Sequence, residues 1–234
     1  MSGDAGRLRD RARRGSWRRW AAETLAEATG RRLRVDPEEP RTGGPAGNAR
    51  LTAWTGLVLL VLFLAEIVTL LDLEDLISWH IAVGALLVPP ALVKTATTGW
   101  RILRYYTGRP TYRQAGPPPM PLRVLGPVVV GSTLGLLGTG LALVAVGSQA
   151  ATNPLLVLGG QEIGFLALHK VATAVWVVAT GLHTVDRIVP ALRITGVSGH
   201  ATRLAGRNAR IVILSLTLAV AALAAVLLHL VPYS

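Results

Sequence analysis

The sequence predicts an all-α integral membrane protein, a bundle of five transmembrane helices with a cytoplasmic N-terminus. Three observations carry this. The chain of 234 residues is 51% hydrophobic with positive mean hydropathy. It holds five apolar runs near the roughly 20 residues that a helix needs to cross a hydrocarbon core about 30 Å thick, more than a soluble domain of this size carries. Its formal charge of +11 gathers at the flanks of those runs, where basic residues set orientation and meet anionic lipid. No basic stripe with interleaved aromatics sits on a recognisable nucleic-acid-binding fold, so membrane lipid is an expected partner and nucleic acid is not.

Residues 1–50 hold twelve Arg and seven acidic residues, with Gly and Pro near the end, and read as a largely disordered cytoplasmic tail. One piece is expected to be ordered. From Ser16 to Thr29, with Gly30 as a stop, helical spacing places Trp17, Trp20, Ala21 and Leu25 near one another beside Arg18 and Arg19. That pattern fits a short helix on an anionic membrane surface, and a solvated tail with chance aromatics is the alternative. The basic region is too long for a signal peptide and no small-residue cleavage site follows the first apolar run. That run is therefore expected to stay as an anchor.

The bundle occupies 51–231, with spans at 51–71, 77–105, 122–146, 163–189 and 211–231. In the second span Pro89 and Pro90 are expected to kink the helix and open room at mid-depth. The third span is rich in glycine (Gly126, Gly131, Gly135, Gly138, Gly140), which lets a helix or a flat cofactor approach its backbone. Trp54, Trp79 and Trp100 read as interfacial belt residues. The tail, the loop after span two (Arg101, Arg104, Arg109, Arg113, Arg123) and the loop after span four (Arg187, Arg193, Arg203, Arg207, Arg210) are basic. The other two loops carry only Asp72, Glu74, Asp75 and Glu162. The positive-inside rule then puts the N-terminus in and the C-terminus out, and makes spans two and four parallel.

The chain has no cysteine, which excludes disulfides, thiolate-held iron–sulfur clusters, c-type haem attachment and thiol catalysis. Five histidines remain as candidate ligands. His200 falls in an inner loop and His229 at the outer end of span five, while His80, His169 and His183 fall within spans. His169 and His183 are fourteen residues apart, which returns to within roughly 40° of the same helix face after a rise of about 21 Å. Two histidines so placed, one in each leaflet, suit two stacked haems. His80 lies 21 residues before Arg101, and His169 lies 18 residues before Arg187, so in parallel spans they share a depth near the outer face. A His–His pair across a bundle core is the expected bis-imidazole haem site. Lys94 stands where the inner partner of His183 is expected. A neutral lysine can ligate iron, or it can meet a haem propionate, a quinone oxygen or Asp186. Glu66, near the depth of His169, is a candidate ion-pair partner of Lys170 or a proton acceptor beside an outer quinol site. Trp176, midway between His169 and His183, packs between two haems or faces the core or lipid.

Ser78-Trp79-His80-Ile81, Leu168-His169-Lys170, and the segment from Thr98-Gly99-Trp100-Arg101 through Arg104-Tyr105-Tyr106-Thr107-Gly108 resemble bacterial, actinobacterial-type membrane-bound b-type cytochromes with a four-helix haem core. The resemblance covers about residues 51–230 and not the tail. It implies residence in the bacterial cytoplasmic membrane and haem b. It also implies electron transfer between a quinone pool and a partner oxidoreductase, such as a molybdopterin enzyme. His80 and His169 would be axial ligands and His183 a ligand of a second haem. Lys94 departs from the di-haem pattern, which expects histidine there, and leaves one or two haems open. Two haem-free readings compete. In a transporter or channel subunit, Glu66, Lys94 and the kinked second span would line a polar path. In a scaffold or assembly subunit, the basic tail would do the work. The sequence shows no inverted repeat, which weighs against the transporter.

Overall fold

The computed structural model describes residues 18–19, 21–32, 35–118, 120–147, 153–196 and 203–230. Trp17, Trp20 and His200 lie outside the described residues. Four helical runs are long and apolar enough to cross a membrane, and the chain is an all-α multi-pass membrane protein. The first run, Gly44–Tyr106, has 63 residues, which as one rod would measure roughly 95 Å, about three times a hydrocarbon core. It folds back on itself at a 3-10 turn, Leu70–Asp72, into helices α1 (Gly44–Thr69) and α2 (Leu73–Tyr106). Contacts at both ends prove the reversal. Near the turn Glu66 Oε1 lies 3.0 Å from His80 Nδ1. At the far end Asn48 Nδ2 donates to the Thr97 carbonyl at 2.9 Å, and Thr52 donates to Thr97 Oγ1 at 2.9 Å. Asp72 leaves helical geometry (φ −147°, ψ 75°) and caps α2, whose first turn holds Glu74 and Asp75 at the positive end of the helix dipole.

A short helix α3 (Pro110–Ala115) follows, then α4 (Met120–Val146), a hairpin of β1 (Leu156–Leu158) and β2 (Gln161–Ile163), α5 (Phe165–Thr195) and α6 (Arg207–His229). The hairpin was not expected from the sequence. The long helices start and stop within about seven residues of the expected spans, and all five begin earlier or end later, four of them where polar and charged residues continue the helix beyond the hydrocarbon zone. Each of α1, α2, α4 and α5 packs on two others of the set, α1 on α2 and α5, α4 on α2 and α5. This closes a four-helix ring in which α2 and α5 stand across one diagonal. Helix α6 lies outside the ring against α2, with Thr217, Ala221 and Ala225 buried.

The double proline does not open space at mid-depth. Helix α2 runs unbroken through Pro89 and Pro90, and Leu87, Pro90 and Ala91 are among the most buried residues of the bundle. Phe63 of α1 and Trp176 of α5 fill that level, their ring centres 4.3 Å apart, together with Leu59, Leu87 and Ala91. Most glycines of α4 do not serve close packing either. A Cβ on Gly126, Gly131, Gly135 or Gly138 would meet nothing within 4 Å, and only Gly140 is closely approached, by the ring of His169 at 3.3 Å.

Within the tail the structure describes residues 18–19, 21–32 and 35–50. Residues 18–19 and 21–28 are helical, within the stretch where a short helix was expected, and Gly30 follows with φ +71°. From there the chain is pinned to the basic ends of the spans. Arg193 donates to the Gly30 carbonyl at 2.6 Å, Arg187 lies 4.0 Å from Glu27, and Thr111 donates to Glu39. Arg101 grips Asp36 through two hydrogen bonds of 2.7 Å each. The buried Arg210 donates to the carbonyls of Thr42, Ala205 and Leu204. The left-handed backbone at position 30, φ +71°, favours glycine, and the Arg193 guanidinium lies 2.6 Å from where a Cβ would stand. The tail supplies carboxylates and carbonyls that satisfy guanidinium groups otherwise facing headgroups.

Asp36→Asn should loosen this strap. Hydrogen bonds to a charged group contribute about 2 kcal/mol, so local opening should rise roughly thirtyfold, read as faster limited tryptic cleavage at Arg41 in detergent. An unchanged cleavage rate would show that the Arg101 pair does not hold the strap.

Candidate functional site

The sequence pattern of histidines becomes a pair of levels along the diagonal between α2 and α5. At the first level His80 of α2 and His169 of α5 have ring centres 6.4 Å apart with their planes at 87°. Each ring is fixed by its Nδ1. Thr69 Oγ1 donates its own proton to the Glu66 carbonyl at 2.6 Å, so at 3.1 Å from His80 Nδ1 it presents a lone pair. Glu66 Oε1, 3.0 Å from the same nitrogen, is a second acceptor. On the other side of the diagonal, Thr139 Oγ1 donates to the carbonyls of Gly135 and Leu136 at 2.8 and 3.0 Å, and its lone pair lies 3.0 Å from His169 Nδ1. Where these oxygens accept from Nδ1–H, the lone pair of each ring lies on Nε2, the nitrogen that a metal would take. Helix α1 orients one ring and helix α4 the other.

This pair has the dimensions of a shared axial site. Two imidazoles bound to one metal from opposite sides, at about 2 Å per bond, put their ring centres roughly 6.3 Å apart. His80 and His169 stand at 6.4 Å. Among the described residues no group of three or more His, Asp or Glu side chains is arranged to hold a metal ion. The chain thus offers two nitrogens across the diagonal, a donor set suited to a group that brings its own equatorial ligands. Hydrogen bonds to Nδ1 are the usual outer-shell support of a metal-binding imidazole. Glu66 is thus the partner of His80 and not of Lys170, which is exposed. Sequence spacing placed Glu66 near this depth, but a depth count carries no helix rotation and does not choose between partners. Thr69 and Thr139 gave no sequence signal, because threonine is common on helices that donate back to their own carbonyls.

The second level differs. His183 of α5 has a buried Nδ1 with no hydrogen-bond partner, and so does Thr180 Oγ1, one turn before it. Lys94 of α2 lies within electrostatic reach of His183, yet its Nζ extends toward α1, 3.4 Å from the Thr52 carbonyl. Gly56 makes room for it, since a Cβ there would stand 2.6 Å from Nζ. Asp186 is buried with neither oxygen in a good hydrogen bond, the Arg187 Nε lying 3.2 Å from Oδ2. Between the levels Trp176 donates from Nε1 to Thr133 at 3.1 Å and stacks on Phe63, so it faces the core and not lipid. His229 packs on Trp79, ring centres 4.6 Å apart, away from the diagonal. Comparison with protein-family models, curated proteins and solved structures returned no match to this chain.

Thr133→Val should leave the buried Trp176 N–H without an acceptor. A loss of about 1–2 kcal/mol is expected, measured as resistance to unfolding by SDS in mixed micelles. No loss would mean that Trp176 is held by packing on Phe63 alone.

Proposed function

We propose that this chain is a membrane b-type cytochrome, an electron-transfer subunit that carries haem between α2 and α5 with His80 and His169 as its axial ligands. The observation that carries the reading is the pair of imidazoles on facing helices, 6.4 Å between ring centres, each with Nδ1 within hydrogen-bond distance of an oxygen. Haem would supply a one-electron couple inside the bilayer. The chain's own residues hold and orient the rings. Glu66 and Thr69 fix His80, Thr139 fixes His169, and Gly140 keeps the α4 backbone clear of the His169 ring. The plug of Phe63 and Trp176 keeps polar groups of the second level away from this one.

The second level favours a single haem. His183 lacks the outer-shell partner that both first-level histidines have, and Lys94 is turned toward α1. Its unsatisfied polar atoms suit hydrogen bonding to a quinone oxygen, so electrons would pass between a quinone pool and a partner oxidoreductase, a molybdopterin enzyme by resemblance. The distribution of arginine supports residence in a bacterial cytoplasmic membrane with N-terminus in and C-terminus out. The same unsatisfied groups favour a second reading, a haem-free transporter subunit with a polar path through Lys94, His183 and Asp186.

The purified protein, made with ample haem supply, should show a b-type α band on reduction by dithionite and one haem per chain. His80→Ala or His169→Ala should abolish the band, while His183→Ala and Lys94→Ala leave it. A colourless parent protein overturns the cytochrome reading, and two haems per chain overturn the single-haem assignment. A ring-plane angle near 87° leaves two iron d orbitals nearly degenerate, so the oxidised protein should give a strongly anisotropic low-spin EPR signal. A weakly anisotropic, rhombic signal would mean that the ring planes are near parallel.

A further inference from the structure

The β1–β2 hairpin stands apart from the bundle. Its register pairs Leu156 with Ile163, Val157 with Glu162 and Leu158 with Gln161, and Leu155 extends the ladder by donating to the Ile163 carbonyl at 2.9 Å. Successive side chains of a strand point to opposite faces. Val157 therefore occupies one face and Leu156 and Leu158 the other, yet all three are exposed, at 64%, 46% and 68%. No helix of the bundle packs substantially on either strand. Paired residues share a face, so Glu162 stands beside Val157 and Gln161 beside Leu158, and only the β1 side of the hairpin is apolar on both faces. A lone two-stranded hairpin is at best marginally stable in water, and an exposed apolar strand requires apolar cover.

We propose that this hairpin lies in the interfacial zone of the leaflet in which α5 begins, with lipid against both faces of β1. A docked protein covers one face of a hairpin, whereas lipid surrounds it. The hairpin is also continuous with lipid-facing surface, because Ile163 leads through Gly164 into Phe165 of α5, whose Val171, Val175 and Val178 are exposed. Depth is limited by the backbone. The strand edges present unpaired N–H and C=O groups, which headgroups and water can satisfy and hydrocarbon cannot. With β1 turned toward the hydrocarbon and β2, about 5 Å away across the ladder, turned toward water, Gln161 and Glu162 remain at headgroup level. The inference is independent of any bound haem.

The absence of cysteine makes the test direct. Nitroxide labels are attached to single-cysteine variants Val157→Cys and Leu158→Cys of the full chain in phosphatidylcholine–phosphatidylglycerol vesicles. Collision with oxygen and with a water-soluble nickel chelate is then measured. Val178→Cys serves as the lipid reference and Glu38→Cys as the aqueous one. Both hairpin labels should show an oxygen-to-nickel ratio several-fold above that of Glu38→Cys. Nickel access equal to Glu38→Cys at either position overturns the proposal. So does shielding of either label from both reagents, which would mean protein cover by a second copy or a partner. Leu156→Cys replaces Leu158→Cys if the latter does not match the parent in helix content.

Discussion

A histidine inside a bilayer has no water to complete its hydrogen bonds, so its ring is set by whatever helix lies against it. For His80 that helix is α1, and the antiparallel pairing of α1 with α2 is the contact on which the site depends. The pairing is secured by polar groups at its two ends, Glu66 and Thr69 on His80 near the turn, and Asn48 and Thr52 on Thr97 at the far end. Slippage by one helical turn, about 5.4 Å, would break both sets together. Lipid gives apolar helices little preference for one register over another, so these side chains supply the register that burial alone supplies in water.

The ring of four helices extends this logic. Helices α2 and α5 face each other across a diagonal, and each has a flanking helix, α1 or α4, that reaches in to hold its histidine. A diagonal arrangement leaves more room between two backbones than the roughly 8–10 Å of adjacent packed helices, and the two imidazoles, 6.4 Å between centres with planes near perpendicular, stand in it. Helix α6 adds no group to the diagonal. It covers α2 from outside, and its small residues Ala221 and Ala225 let the two backbones close up. At the basic ends the strap ties tail to spans through Asp36, Gly30 and Thr42, joining α2, α5 and α6 to one segment.

Much of this was legible in the sequence because membranes make depth countable. Rise per residue is fixed, arginines mark where spans end, and positive-inside bias gives direction, so His80 and His169 were brought to one level from counting alone. What counting does not give is rotation about the helix axis. Glu66 was at the right depth for Lys170 as well as for His80, and only the packing of α1 against α2 decides between them. Trp176 likewise had two faces open to it until Phe63 and Thr133 fixed its side. The contacts of the tail were not legible for a different reason. Its composition is that of a disordered segment, but composition does not register that arginines of the span ends have their acceptors in that segment, Arg101 in Asp36 above all. The mid-span prolines misled in turn, because a neighbouring helix can fill the volume beside a proline instead of leaving it open, as Phe63 and Trp176 do here.

The contrast between the two levels bears on how one sequence repeat yields two environments. His169 and His183 share a helix face and differ in depth by about 21 Å, so sequence spacing alone gives them equivalent places in the two leaflets. Their surroundings differ. Thr139 stands opposite His169 and completes it, whereas Nδ1 of His183 and Oγ1 of Thr180 have no partner within the described chain. A completed imidazole is held in one tautomer and one orientation, the condition for a ligand whose geometry must not change with oxidation state. An incomplete one retains a donor and an acceptor for something that comes and goes. Lys94 follows the same division, since Gly56 gives its ammonium space and only one weak acceptor, the Thr52 carbonyl. Buried polar groups left open are costly in lipid, and among the described residues Thr180 Oγ1, His183 Nδ1 and the Asp186 carboxylate stand open within two turns of α5 beyond the Phe63–Trp176 plug, while at the first level the open atom is Glu66 Oε2.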